Sequence, residues 1–342
     1  MARAAKVSLP TVSRVANGGA GVGRETQERV RNAAQVLGVD LYRKNKAKVI
    51  GFVFSNRDML HPFHSRVLFG AETYCASRGY NLLFVPFNYS ADAPARELRL
   101  PQIFYRHDVI RALIIADTNS QNLLELLGQE GIPFSVLGNN VLGEWRPEEY
   151  DVVWFDDVQG AYEMTRHLLL QSHRDIWYVG NCQLPWFARR CEGYRRAMLE
   201  AGMTVRVSSL DSEKNEETGY LATKSILLRD EPVTAIFAGD DSVAQGVYEA
   251  LREYRLGIPQ DISVVGVNDV LARVLHPALS SLKVFPEHVG KQLAELVLNR
   301  IAHPDMPPQH STIPTQLAKR QSSHPLTLPS EVVNRERAQE TP

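Results

Sequence analysis

The stretch Ser8-Leu-Pro-Thr-Val-Ser-Arg-Val-Ala-Asn17 sets hydroxyls, one guanidinium and one amide at the spacing of a short helix. Ser8 can cap its start, and Pro10 falls in the first turn, where a missing N–H costs little. Val12 and Val15 lie three apart and would share the buried face, which sends Thr11, Ser13 and Arg14 toward solvent or a nucleic acid. Asn17-Gly18-Gly19 stops the helix. Nothing comparable supports catalysis. Gly19-Ala-Gly-Val-Gly23 superficially resembles a dinucleotide loop, but it follows a helix and has the wrong spacing. GxxxxGK[ST] and GxSxG motifs are both absent. Cys75, Cys182 and Cys191 form no CxxC pair, so neither a disulfide framework nor a structural zinc is expected. No His, Asp and Glu group has convincing ligand spacing. The expectation is therefore a binding protein without catalytic residues, cofactor or metal.

The elements that must position these residues follow from periodicity. A further helix is expected over Arg24–Leu37, with Val30, Ala33, Ala34 and Leu37 on one face and Gly38 closing it. Two short helices with a tight turn, followed by this third, make a helix-turn-helix. The linker Val39–Lys48 carries Arg43, Lys44, Lys46 and Lys48. Beyond it the pattern changes. β-rich runs at Val49–Phe54, Tyr80–Pro86, Ala112–Ala116, Pro133–Leu137, Val152–Phe155, Ile176–Gly180, Val233–Ala238 and Ile262–Val267 alternate with amphipathic segments. Those segments include Arg66–Arg78, Gly160–Leu170, Gly193–Ala201, Val243–Arg255 and Glu287–Ile301. Such alternation means parallel sheets with helices on both faces. The length is large for one such sheet, which favours two lobes. The polar tail from His324 onward is expected to be disordered.

Charge divides the chain unevenly. Residues 1–48 carry ten Lys/Arg against three Asp/Glu, whereas the remainder carries 28 against 36. A basic head on an acidic body points to a polyanion partner at one end. No apolar run is long enough to span a bilayer and no secretory leader follows the basic start, so a cytoplasmic protein is expected.

The segment Val7-Ser-Leu-Pro-Thr-Val-Ser-Arg-Val-Ala-Asn17 resembles the recognition-helix signature VSxxTVSRVLN of the lac-repressor (LacI/GalR) family, departing from it at Ala16. The resemblance continues through Arg190-Cys-Glu-Gly-Tyr-Arg-Arg-Ala197, Ala235-Ile-Phe-Ala-Gly-Asp-Asp-Ser-Val-Ala-Gln-Gly246 and Gly257-Ile-Pro-Gln-Asp-Ile-Ser-Val-Val-Gly-Val-Asn-Asp269. Pro277-Ala-Leu-Ser-Ser281 and Gln316-Leu-Ala-Lys-Arg-Gln-Ser-Ser323 extend it to the end of the core. It implies an α/β protein: a helix-turn-helix head plus a two-lobed, periplasmic-binding-protein-like core of doubly wound parallel sheets. The implied divisions are a head over 1–38 with a clipped first helix, a shortened basic hinge over 39–48, a core over 49–323 and a tail over 324–342. The chain would cross between lobes near Phe155, Val284 and Pro314. The N-lobe would then hold 49–154 and 285–313, and the C-lobe 156–283 and 316–323.

The resemblance also assigns residues. Leu9, Pro10 and Arg14 fall at base-reading positions, where Arg14 can fork onto guanine and the apolar pair suits a thymine methyl. Ser8, Thr11, Ser13 and Asn17, with Lys44 and Lys46 of the hinge, would hold phosphates. Tyr42-Arg-Lys-Asn-Lys-Ala-Lys48 supplies basic residues but not the leucine with which family members wedge open the minor groove, so no such insertion is expected. Ligand positions fall on Phe63, His64, Trp186, Arg190, Asp240 and Asn268, the last replacing the family's usual aspartate. Arg190 would donate to hydroxyls or a carboxylate, Asp240 and Asn268 would accept, and Trp186, Phe187 or Phe63 would stack on a pyranose. The implied protein is a homodimeric repressor whose binding to a palindromic double-stranded operator answers to a small effector, expected to be a sugar. Two alternatives stay open: a degenerate member that senses ligand but binds DNA weakly, and a cytoplasmic sugar-binding protein.

Overall fold

A computed structural model describes residues 2–16, 22–37, 48–56, 61–212, 214–229 and 231–326. The head contains helices α1 (Leu9–Ala16) and α2 (Arg24–Val36). Ahead of them, Val7 N donates to Ala2 O and Lys6 N to Arg3 O, while Lys6 takes a positive φ of 51°. This is the bonding that terminates an α-helix. The described residues ahead of α1 thus form the closing turn of the first of the three anticipated helices. Ala5, Val15, Val30, Ala33 and Ala34 bury together, with Val7, Val12 and Val22 against them. Leu37, expected on that face, is 49% exposed, because α2 ends at Val36 and the chain turns.

Helices α3 (Pro62–Ser77), α4 (Gln121–Gln129), α5 (Asp157–Leu170), α6 (Pro185–Glu200), α7 (Asn215–Leu228), α8 (Asp241–Glu253) and α9 (Pro286–Ala302) surround two six-stranded sheets. The N-lobe sheet runs, from one edge, through His310–Ile313, Asp151–Phe155, Phe134–Leu137, Ile110–Ile115, Val49–Ser55 and Asn81–Phe87, all parallel. The C-lobe sheet runs through Gln316–Ala318, Ser280–Lys283, Ser263–Asn268, Ala235–Ala238, Ile176–Val179 and Arg206–Ser208. Only its Gln316–Ala318 edge is antiparallel. Central strands such as Ile176–Val179 and Ala235–Ala238 are buried along their whole length, as helices on both faces require.

The chain passes between the sheets three times, after Phe155, after Lys283 and after Ile313. Asn139 fixes the first passage by both donating to Phe155 O and accepting from Phe155 N. Asp156 then caps α5 by accepting from Gln159 N, and Thr315 of the third passage donates to Asp156 O. One apolar cluster, including Phe63, Phe155, Tyr178, Leu282 and Val284, runs continuously through this junction. The tail differs from expectation at its start. Leu326 N donates to Gln171 O, and His173 Nε2 lies 3.0 Å from His324 O, so residues 324–326 are tied to the C-lobe.

Candidate functional site

Helix α1 presents the head's candidate chemistry. Its buried face is set by Val12 and Val15, which leaves Leu9, Pro10, Ser13 and Arg14 exposed; Leu9 is 77% exposed. Ser8 Oγ accepts from Thr11 N and lies 2.8 Å from Thr11 Oγ1, so both hydroxyls serve the start of the helix. Asn17, Lys44 and Lys46 lie outside the described residues.

In the core, a narrow cavity of about 30 Å³ opens between the lobes. Phe63, His64, Trp186, Arg190, Asp240 and Asn268 all line it, together with His61, Asn140, Phe155 and Asn215. Its C-lobe wall is built on α6, where Trp186 and Arg190 stand one turn apart and share a face. Arg190 is almost fully buried, with its guanidinium over the Phe187 ring at 5.9 Å. Its Nη1 donates to Gly239 O at 2.7 Å and its Nη2 to Asn268 Oδ1 at 3.1 Å. The Nε is buried without a partner. Phe187 is fully buried beneath Arg190, which leaves Trp186, Phe63 and Phe155 as the phenyl and indole rings at the cleft.

Asp240 divides its carboxylate between two tasks. Oδ1 accepts from Val243 N and caps α8, while Oδ2 accepts from Asn215 Nδ2 at the start of α7. Asn268 ends its strand with φ 100°, and Asp269 follows with φ 55°. Consecutive left-handed residues cost about 1–3 kcal/mol each and need support. Here Asp269 pairs with Arg320 at 2.6 Å, and its N–H donates to Ser281 Oγ. The buried Asp241 accepts from Val270 N, Leu271 N and Ser281 Oγ. Burial pushes the Asp241 carboxyl up to about 7, against the opposing pull of those hydrogen bonds.

The N-lobe wall comes from α3 and from the loops after its strands. His61 Nδ1 accepts from Phe63 N and caps α3. Phe63 packs on Phe155 with ring centroids 5.7 Å apart. His64 Nε2 lies 3.1 Å from Asn140 Nδ2 and 3.5 Å from Asp117 Oδ1, and Asn140 Nδ2 also donates to Ala116 O. His61, Asn140 and Asn215 were not singled out in the sequence. Asn215 opens a helix that the periodicity did not reveal, and Asn140 sits in a short turn after a strand. The cleft thus offers donors, acceptors and aromatic faces to a small polar molecule. Among the described residues no group of His, Cys, Asp or Glu could hold a metal ion.

Residues 1–39 match the family model of bacterial regulatory proteins, lacI family, and residues 165–323 match the periplasmic binding protein-like domain. The chain thus carries a lacI-family head and a periplasmic-binding-protein-like domain. It is 29% identical to the ribose operon repressor of Haemophilus influenzae over 316 residues, 89% of this chain and 92% of that protein. Among solved structures it resembles the transcriptional regulator CelR–cellobiose complex, with 25% identity and a TM-score of 0.71 over 94% of this chain and 98% of that one. It also resembles a LacI family transcriptional regulator from Enterococcus faecium with bound ribose. That match has 26% identity and a TM-score of 0.69, over 82% of this chain and all of the other. The relatives are repressors rather than enzymes, and no helix among the described residues is long and apolar enough to cross a membrane.

Proposed function

We propose that this chain is a LacI-family protein, a homodimeric, cytoplasmic transcriptional repressor whose hold on a palindromic operator is set by a sugar bound between its lobes. The observation that carries the reading is the union, in one chain, of two features. One is a helix with an outward Leu9-Pro10-Ser13-Arg14 face, and the other is a cleft of buried polar groups and aromatic rings. Arg14 would fork onto guanine and Leu9 and Pro10 would meet a thymine methyl. Ser8, Thr11, Ser13, Asn17, Lys44 and Lys46 would hold phosphates. In the cleft, Arg190 and Asn268 would meet ring hydroxyls, with Asp240, Asn215 and His64 completing the set. Trp186 and Phe63 would cover the apolar face of the ring. The relatives named for ribose and cellobiose support a sugar over other small polar ligands. The cavity lies between the lobes, so a sugar that parts or closes them on entry makes a motion that can reach the heads.

Calorimetric titration with D-ribose, D-glucose and cellobiose tests the ligand half. Saturable binding of one of them, lost in Arg190→Ala, is expected. A chain that binds none of a broad sugar panel while remaining folded overturns the sugar assignment.

A further inference from the structure

Helices α5 and α6 leave a groove of about 460 Å³ between them. Its floor is apolar. Leu169 and Met203 pack on the core cluster beneath, and Leu170 beside them is 79% exposed. Its rim is basic. Arg166 lies over the Tyr162 ring at 5.8 Å, and Arg174 donates to Leu169 O and His173 O. Glu200, the acid of the lining, is occupied by Tyr162, whose hydroxyl donates to it at 2.6 Å, and by Arg196 at 4.0 Å. Among the described residues Arg166 and Arg174 therefore keep their charges without a carboxylate partner. The described chain ends beside this groove. Leu326 N donates to Gln171 O, one residue past Leu170 and three before Arg174.

We propose that residues 327–333 of this same chain dock in the groove, with Leu328 and Val332 on its apolar floor and Glu331 paired with Arg166. Sixteen residues follow Leu326, and the first seven read Thr-Leu-Pro-Ser-Glu-Val-Val. Three of them are large and apolar, and an acid stands among these, which matches an apolar floor under a basic rim. Pro329 favours an extended conformation for Leu328 before it, as a chain laid along a groove requires. Length agrees as well. From Gln171 back to Tyr162 the helix rises about 14 Å at 1.5 Å per residue. Five extended residues, from Leu326 to Glu331, reach about 17 Å. The tether also favours this occupant over others, because a segment anchored at Gln171 meets the groove at high effective concentration and needs little affinity of its own. A second copy presenting the same groove would instead set arginines against arginines. Docking straps α5 to α6, the helix that carries Trp186 and Arg190 of the cleft wall.

Full-length protein with a photoreactive benzophenone side chain at position 328, or separately at 332, is irradiated, digested and mapped by mass spectrometry. The expected result from at least one position is a dominant linkage within one chain to residues 162–174 or 197–203. The same group at position 341, beyond the docked stretch, should not give it. At low salt Arg166→Glu and Glu331→Arg should each lower the yield several-fold, and the two together should restore it. Linkage only between chains would assign the groove to a second copy and overturn the proposal. So would linkage elsewhere on the molecule, no linkage from either position in protein shown to be folded, or charge variants that leave the yield unchanged.

Discussion

Arg190 has no tolerant substitute. Two of its nitrogens are committed to Gly239 O and Asn268 Oδ1 in a buried site, a fork that lysine cannot reproduce. Hydrogen bonds from a charged donor are worth about 1.5–3 kcal/mol, so Arg190→Lys should weaken sugar binding roughly 10- to 100-fold. Titration of the folded variant checks this. Asp241 acts at one remove, through the loop that holds Asn268. Its folded pKa, about 7, lies above the ordinary 3.8. The folded state therefore binds the proton more tightly, and the stability this adds is full below about pH 4 and is lost as pH rises toward 7. Asparagine can accept from Val270 N and Leu271 N with its oxygen and donate to Ser281 Oγ with its nitrogen. Asp241→Asn should thus fold normally, and urea titrations across pH 4 to 8 should show less decline in stability than in the parent. Asp241→Ala leaves those donors unpaired and should cost about 1–3 kcal/mol by the same measurement. At the other end of the chain, Arg14→Ala should remove sequence preference at one base pair of each half-site, worth about 1–3 kcal/mol, while sugar binding persists.

The helix pairs fix how accurately those side chains are placed. Helices α7 and α8 cross at Gly219 and Gly246, whose Cβ atoms would lie only 2.0 Å from Val243 O and 1.8 Å from Glu216 O. That approach sets the distance between Asn215 and Asp240, each at the start of its helix. Gly246→Ala must push the helices apart, so it should cost about 1–3 kcal/mol of stability and weaken sugar binding together, read by thermal melting and titration. This scale also shows where sequence reading succeeds. Strand runs such as Val49–Phe54 and Ile262–Val267 were visible because strands buried on both faces are continuously apolar. Helix α7 was not, because its buried positions are Thr218, Gly219, Ala222, Thr223 and Ile226, small or polar residues that close packing selects instead of a stripe of large apolar ones. Helix α6 was anticipated only from Gly193, although it begins at Pro185, because its first turns carry cleft residues rather than a regular apolar face. The cleft residues Phe63, His64, Trp186, Arg190, Asp240 and Asn268 came from resemblance. His61, Asn140 and Asn215 belong to local caps and turns that carry no periodic signal.

For the whole molecule, two lobes joined by three passages can change their mutual angle while each keeps its own core. Arg189 of α6 spans the junction, donating to the buried Asp157 at 2.8 Å and stacking on Trp154 of the N-lobe sheet at 4.9 Å. Sugar that binds one lobe angle better than the other shifts that equilibrium, and by linkage the operator must change sugar affinity by the same factor. Coupling of about 1–3 kcal/mol, roughly 5- to 150-fold, is the range to expect. The measurement that bears most directly on the account is selection of the full-length protein on a randomised duplex library at moderate salt, with and without the sugar that titration identifies. The account predicts an enriched palindrome with half-sites about one helical turn apart, and enrichment that changes when sugar is added. Salt-sensitive retention with no motif, or a motif indifferent to sugar, would contradict it.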